Sequence, residues 1–329
     1  VENPDISRNI SLELARCTEA AALMAGRWMG RGDKEAADQA AVDAMRQVLN
    51  TIDMDGLVVI GEGEKDEAPM LYVGERLGRA SEPKVDIAVD PIDGTRLLAL
   101  GMPNSICVIA VAERGAFYGW QHISYMEKIA VGPAGCGAID ITKSAAENLA
   151  SVAEAKHRDV DDLTVVVLDR PRHEGIIQEV REAGARIKLI TDGDVAGALM
   201  AAMLNTGIDL LMGIGGSPEA VIAAAALKCA GGDMQCRLWP RNDEERRLAE
   251  EYNIDLTRIF RIDDLVGGDD VFFAATGITD GELLDGVKYF RDGASTHSLV
   301  MRAVSGTVRY ISSTHQISKL RQMTHLPFD

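Results

Sequence analysis

Residues 90–95 read Asp-Pro-Ile-Asp-Gly-Thr. The alternation of Val85, Ile87 and Val89 ahead of them is that of a strand. Pro91 has no amide to give a sheet, so the strand is expected to stop at Asp90. Asp90 and Asp93 then stand at a sharp turn that Gly94 permits, and Thr95 opens a helical turn. Carboxylates this close repel each other unless a cation sits between them, and a hard divalent ion takes oxygen ligands. The amides at the start of the following helix suit a phosphate. The plainer reading of the same residues is an Asx turn followed by a helix cap.

Other carboxylates stand at similar breaks. Gly30 and Gly32 end a first helical pattern, and Asp33 precedes a second that runs from Lys34 to about Ile52. By position Asp33 is an N-cap, and Lys34 beside it either neutralises a phosphate or is solvated. Glu62 lies between Gly61 and Gly63 at the end of a short apolar strand, Leu57–Ile60. Flanking glycines let backbone and ligands approach closely. Glu64, Asp66 and Glu67 extend the acidic run, which reads equally as a solvated loop or as a mobile segment near metals.

The elements that must position these groups fall into two halves. Residues 8–29 form a helix whose buried face is Ile10, Leu14, Cys17, Ala21, Met24 and Trp28. The second helix buries Ala37, Ala41, Met45, Val48 and Ile52. Strands follow at 106–112 and 125–131, with a hairpin turn at 113–116 and a return beginning at 117–120. This half is an α+β layer, and the boundary falls within 132–160, giving domains of 1–140 and 141–329. The second half alternates strand and helix: Thr164–Leu168, His173–Glu182, Ile187–Ile190, Val195–Met203, Asp209–Met212, Glu219–Cys229. Such alternation implies a parallel α/β sheet with helical crossovers, and ligands bind beyond the carboxyl ends of its strands. Those ends carry Asp169-Arg170-Pro171-Arg172, Thr191-Asp192-Gly193-Asp194 and Gly213-Ile214-Gly215-Gly216-Ser217. Arginines suit phosphate, aspartates suit sugar hydroxyls, and a glycine-rich loop suits an anion. A C-terminal hairpin at 299–312 can close either sheet.

Composition narrows the classes. The chain has 329 residues, 47% of them apolar, and a net charge of −17. That charge argues against non-specific binding to nucleic acid or to an anionic membrane. The five cysteines are scattered, with no CxxC pair, so reduced thiols, no zinc site and a cytoplasmic location are expected. The N-terminal Val-Glu-Asn-Pro-Asp has no signal-peptide core, and the most apolar helix is too short to span a bilayer.

Asp90–Thr95 resembles the signature of the lithium-sensitive, metal-dependent phosphatases, which include inositol monophosphatases and fructose-1,6-bisphosphatases. Gly30-Arg31-Gly32-Asp33-Lys34, Val59-Ile60-Gly61-Glu62-Gly63-Glu64, Asp66-Glu67-Ala68-Pro69-Met70-Leu71-Tyr72 and Tyr125-Met126-Glu127-Lys128 narrow the likeness. Pro171-Arg172-His173, Asp192-Gly193-Asp194 and Gly213-Ile214-Gly215-Gly216-Ser217-Pro218-Glu219 narrow it further. Together they resemble the class II (GlpX-type) fructose-1,6-bisphosphatases, in order from about residue 10 to about residue 315. The resemblance implies a layered α-β-α-β-α sugar phosphatase fold and a homo-oligomer, dimer or tetramer.

The resemblance also implies that Asp33, Glu62 and Glu219 are metal ligands, and that Tyr125 and Lys128 match substrate-pocket positions. Glu219 alone reads only as a favourable first-turn acid. With Asp90 and Asp93 the set is all oxygen, which fits two or more Mg²⁺ or Mn²⁺ ions. Asp93 stands where many class II enzymes carry Glu. The expected chemistry is hydrolysis of fructose 1,6-bisphosphate by activated water, with Thr95, Asp90 and Lys34 as catalytic candidates. Asp93, Gly94, Thr95, Tyr125, Arg170, Pro171, Arg172, Asp192, Gly193, Asp194 and Gly216 are expected to hold substrate. The competing readings are a broader phosphatase acting on sedoheptulose bisphosphate or inositol phosphates, and a non-catalytic sugar-phosphate-binding regulator.

Overall fold

A computed structural model describes residues 10–61, 71–119 and 122–324, with backbone alone for 321–324. Glu62, Glu64, Asp66 and Glu67 therefore lie outside the described residues. The chain divides into two units: Val1–Phe117 with Gly268–Asp329, and Tyr118–Gly267.

The first unit opens with α1 (Ser11–Ala25) and α2 (Lys34–Leu49), which pack on each other. The expected face of α1 is buried from Ile10 to Met24, with Trp28 partly buried against it. Alanines at 15, 20, 22 and 25 are buried as well, because α1 lies between α2 and strands rather than on a surface. Then come β1 (Asp55–Ile60), β2 (Arg76–Leu77), β3 (Lys84–Asp93), α3 (Thr95–Leu100) and β4 (Ile106–Glu113). Within this sheet β1 and β3 are parallel and β3 and β4 antiparallel.

β3 does not stop at Asp90. Its register with β4 runs from Asp90↔Val108 to Asp93↔Ile106, three steps on one strand against two on the other. That extra residue is a β-bulge, and a bulge tolerates the missing amide of Pro91. The turn after β4 forms, with Ala116 N–H donating to Glu113 O at 3.0 Å. Among the described residues no return strand follows it, and Trp120 lies outside them; beyond Phe117 the chain enters the second unit, where Tyr118 N–H donates to Leu265 O.

The second unit contains β5 (Tyr125–Val131), α4 (Ala145–Lys156), β6 (Thr164–Leu168), α5 (Glu174–Glu182), β7 (Arg186–Ile190) and α6 (Asp194–Ala202). It continues with β8 (Leu210–Gly216), α7 (Ser217–Ala230), β9 (Asp233–Leu238), α8 (Asp243–Glu251), β10 (Ile259–Arg261) and α9 (Ile262–Leu265). Among the described residues its sheet has six strands in the order β10-β9-β5-β8-β6-β7. β6 is parallel to β7 and β8, as the alternation implies, while β5 lies antiparallel between β8 and β9. Tyr125–Val131 thus belongs to the second sheet and not to the first half, and the division falls at 117/118 instead of near 140. The reason is non-local pairing: β5 meets β8 and β9 across about a hundred residues of chain. Gly197 lets α6 come close to the sheet, since a β-carbon there would meet Leu211 Cδ1 at 2.9 Å.

The chain then returns to the first unit with β11 (Phe272–Gly277), β12 (Lys288–Phe290), β13 (Gly293–Arg302), β14 (Thr307–Gln316) and α10 (Ile317–Thr324). β11 pairs with β4 and β13, and β14 with β13. The C-terminal hairpin therefore closes the first sheet, which among the described residues has eight strands. No helix among the described residues is long and apolar enough to cross a membrane.

Candidate active site

The bulge in β3 presents Asp90 and Asp93 at the strand end. Asp90 Oδ1 accepts from Ile92 N–H at 3.0 Å, which is the Asx turn, and Asp93 is buried. Gly94 follows at φ +90°, and a side chain there would strike Leu97 at 2.9 Å; glycine is required. Thr95, the first residue of α3, directs its hydroxyl to Asp38 Oδ1 at 3.2 Å and to Ile92 O at 3.1 Å. Asp38 stands one turn into α2. Burial pushes its carboxyl up to about 6, against the opposing pull of the Thr95 hydrogen bond and the Lys34 charge. Asp33 is the N-cap of α2, accepting from Ala36 N–H at 3.0 Å, and Lys34 is exposed.

Sequence reasoning passed over Asp38. On a helix that follows Asp33 and carries Glu35 and Asp43 it looks like one more solvated acid. The only local signal is its place between Ala37 and Ala41, on the border of the buried face.

In the second unit the predicted residues converge at the ends of β5, β6 and β8. Lys128, 3% exposed, donates to Asp194 Oδ2 at 2.6 Å and to Gly216 O at 2.9 Å. Burial acts to lower the Lys128 ammonium, but Asp194 and Glu219 outweigh it and leave the group raised. Glu219 curls back over Gly216, so that a β-carbon on Gly216 would lie 1.8 Å from Glu219 Oε2. Gly215 is held just as tightly against Asp194 Oδ2. Burial, and after it repulsion from Asp194, raises the Glu219 carboxyl, while Lys128 pulls it down.

Arg172 lies over the Tyr125 ring at 5.1 Å, and Tyr125 meets Trp239 edge to face. Arg172 Nε and Nη2 both donate to Ile214 O, at 3.1 and 2.7 Å, so only its remaining N–H groups can meet a phosphate. Arg170 donates to the Asp169 carbonyl next to it. Pro171 begins a turn of 3-10 helix, Asp192 is half-buried, and Gly193 at φ +83° caps α6.

The predicted metal ligands are not assembled by the described residues. No three His, Cys, Asp or Glu side chains among them could hold an ion. Glu62 falls outside those residues, and the other four are divided between the units. The donors nevertheless fit a hard cation. All are carboxylates, and Glu219 Oε2 is buried with no hydrogen-bond partner, a state that a bound cation would relieve. Of the five cysteines all are free thiols, and burial raises Cys17 and Cys236, so neither is poised for chemistry.

In the first unit, carboxylates at a bulged strand end and a hydroxyl paired with a raised carboxyl are groups that metal-assisted hydrolysis can use; in the second, arginine beside a glycine-rich strand end suits a phosphate. The family described as bacterial fructose-1,6-bisphosphatase, glpX-encoded, matches residues 8–315. Fructose-1,6-bisphosphatase 1 class 2 of Escherichia coli (strain K12) is 44% identical over 325 residues, covering 95% of this chain and 96% of its own length. Fructose-1,6-bisphosphatase class 2 of Shigella flexneri matches with the same figures. The chain belongs to the bacterial glpX-encoded fructose-1,6-bisphosphatase family. Membership implies a phosphatase that requires a divalent metal.

Proposed function

We propose that this chain hydrolyses fructose 1,6-bisphosphate to fructose 6-phosphate and inorganic phosphate, as a step of gluconeogenesis. The observation that carries the mechanism is the pairing of Thr95 with Asp38. Asp38 as a carboxylate accepts the Thr95 proton, which turns a lone pair of Oγ1 toward a water and orients it for attack on phosphorus. Proton transfer from that water through Thr95 to Asp38 is general-base work, and a carboxyl raised to about 6 is suited to it at neutral pH. The phosphorus–oxygen bond to the sugar breaks as the bond to water forms, and the departing sugar oxygen takes a proton from solvent water. Gly94 and Thr95 amides and Lys34 hold the phosphoryl oxygens. Tyr125, Arg170, Pro171, Arg172, Asp192, Gly193, Asp194 and Gly216 hold the rest of the sugar bisphosphate, with Arg172 on the distal phosphate.

Asp33, Glu62, Asp90, Asp93 and Glu219 would hold two or more Mg²⁺ or Mn²⁺ ions. Bound divalent ions supply a lowered water pKa and charge against the phosphoryl oxygens. The free thiols support a reducing, cytoplasmic setting, and the family resemblance supports a homo-oligomer.

The test is phosphate release from fructose 1,6-bisphosphate with Mg²⁺ or Mn²⁺, against a chelator control and added Li⁺, with sedoheptulose bisphosphate and inositol 1-phosphate alongside. Metal-dependent release fastest on fructose bisphosphate is expected. Faster release on another substrate, or binding with no release, overturns the reading.

A further inference from the structure

His173 is completely buried at the carboxyl end of β6, and both ring nitrogens are engaged. Nδ1 lies 2.6 Å from Leu168 O, a pure acceptor, so Nδ1 carries the proton. Nε2 accepts from Ile214 N–H at 2.7 Å, so Nε2 carries none. The two bonds fix the imidazole as the neutral Nδ1–H tautomer.

The place of these bonds in the sheet gives them their meaning. β8 pairs with β6 only at Val165↔Leu210 and Val166↔Leu211. Past that point the two strands share no pairs, and the outward N–H and C=O of Ile214 have no strand to meet. His173 takes the N–H, and the neighbouring Arg172 takes the C=O through Nε and Nη2. Two consecutive side chains thus replace a missing strand at the crevice of an α/β sheet, where ligands bind. The fit is close: Gly213 sits at φ +146°, and a β-carbon there would be 3.1 Å from His173 Nε2.

We propose that His173 is a positioning residue for substrate binding: by bridging Leu168 O and Ile214 N–H it fixes the carbonyl that orients Arg172 and the glycine-rich end of β8, Gly213–Gly216. The inference rests on the reading of Arg172 as a substrate-phosphate group. Burial keeps the imidazole below its ordinary range, and the charged groups acting on it, Arg172 and Arg170, push the same way. The ring therefore stays neutral where the enzyme works, and the latch stays shut.

The test uses the full chain. In the ¹⁵N-imidazole spectrum of the wild type, His173 is expected to keep the Nδ1–H tautomer down to about pH 6, below the ordinary histidine pKa of about 6.5. An Nε2–H tautomer overturns the inference whatever the enzyme hydrolyses. Two variants then separate the two bonds. His173→Asn places an amide where Nδ1 stands and orphans Ile214 N–H. His173→Gln reaches the Nε2 position and offers Ile214 an acceptor.

His173→Asn is expected to raise KM for fructose 1,6-bisphosphate about ten-fold, the scale of one orphaned buried donor, with kcat within about two-fold. His173→Gln is expected to restore most of that loss. Equal behaviour of the two variants, or an unchanged KM in His173→Asn, overturns the inference. A wild type that releases no phosphate from fructose bisphosphate would instead remove the substrate reading, and the imidazole spectrum would still decide whether the latch exists.

Discussion

The Thr95 hydroxyl stands 3.2 Å from Asp38 Oδ1 and 3.1 Å from Ile92 O, with one proton to share between two acceptors. Which acceptor receives it depends on Asp38. As a carboxylate, Asp38 competes for the proton and frees an Oγ1 lone pair on the other side. As a carboxylic acid, it donates to Oγ1 instead and leaves the Thr95 proton on Ile92 O.

Asp38→Asn is expected to lower kcat by at least about 10²-fold, the lower end of general-base contributions, with KM little changed. The same substitution should raise Tm at neutral pH, because the raised carboxyl marks a group that folding would sooner keep protonated. Loss of rate joined to gain in stability is the pattern of a working residue. A variant that keeps its kcat, or that loses both rate and stability, contradicts the assignment.

The pH profile should carry the same group. Asp38 has an ordinary value of 3.8 and stands at about 6 in the folded chain. Its active form is the carboxylate, so kcat/KM should fall as pH drops through about 6. The stability linked to Asp38 has the opposite sense. It is fully present below 3.8 and is lost as pH rises through about 6. Steady-state rates between about pH 5 and 8 test the first statement. An acidic limb that persists in Asp38→Asn would assign it to another group.

Arg172→Ala should weaken fructose 1,6-bisphosphate more than a small phosphomonoester, since a distal phosphate is present only in the first. An expected rise in KM of about ten- to a hundred-fold reflects loss of a charge-assisted contact together with the Ile214 tie. Arg172→Lys should recover little, because a point charge cannot bracket a carbonyl through Nε and Nη2. Equal loss on both substrates would argue against a role at the distal phosphate.

Lys128→Met removes the buried cation that donates to Asp194 and pulls the Glu219 carboxyl down. Breaking a buried pair in this way costs about 3–5 kcal/mol, visible as a lower Tm at pH 7. Lowering the pH protonates the carboxylates left behind and should narrow the gap from wild type. A gap that widens in acid would mean that the two carboxylates are not what destabilises the variant.

The local parts of this fold were legible in the residues. α1 and α2 announce themselves by spacing, Asp33 by the glycines before it, and the strand ends of the second sheet by their arginine and glycine punctuation. What escaped depends on partners far along the chain. β5 has the pattern of any half-buried strand, and nothing within it says that β8 and β9 flank it. Pro91 reads as a stop because a bulge is defined by the neighbouring strand, β4. Asp38 looks solvated until α3 brings Thr95 to it, 57 residues away. In the sequence His173 is one letter of a motif, since its two hydrogen bonds exist only where β6 and β8 have parted.

The first unit is written in two instalments, with the whole second unit between them. During synthesis β4 emerges long before β11, its antiparallel partner on one side. The interrupted sheet must wait with that edge open, whereas residues 118–267 can complete their own sheet as soon as they are made. Domains generally fold as units and N-terminal parts first; here the order is inverted, and the part of the chain that begins first finishes last. A nascent chain that has emerged as far as residue 270 would carry a finished second sheet attached to a half-built first one, with the carboxylate-bearing strand β3 present but its sheet incomplete.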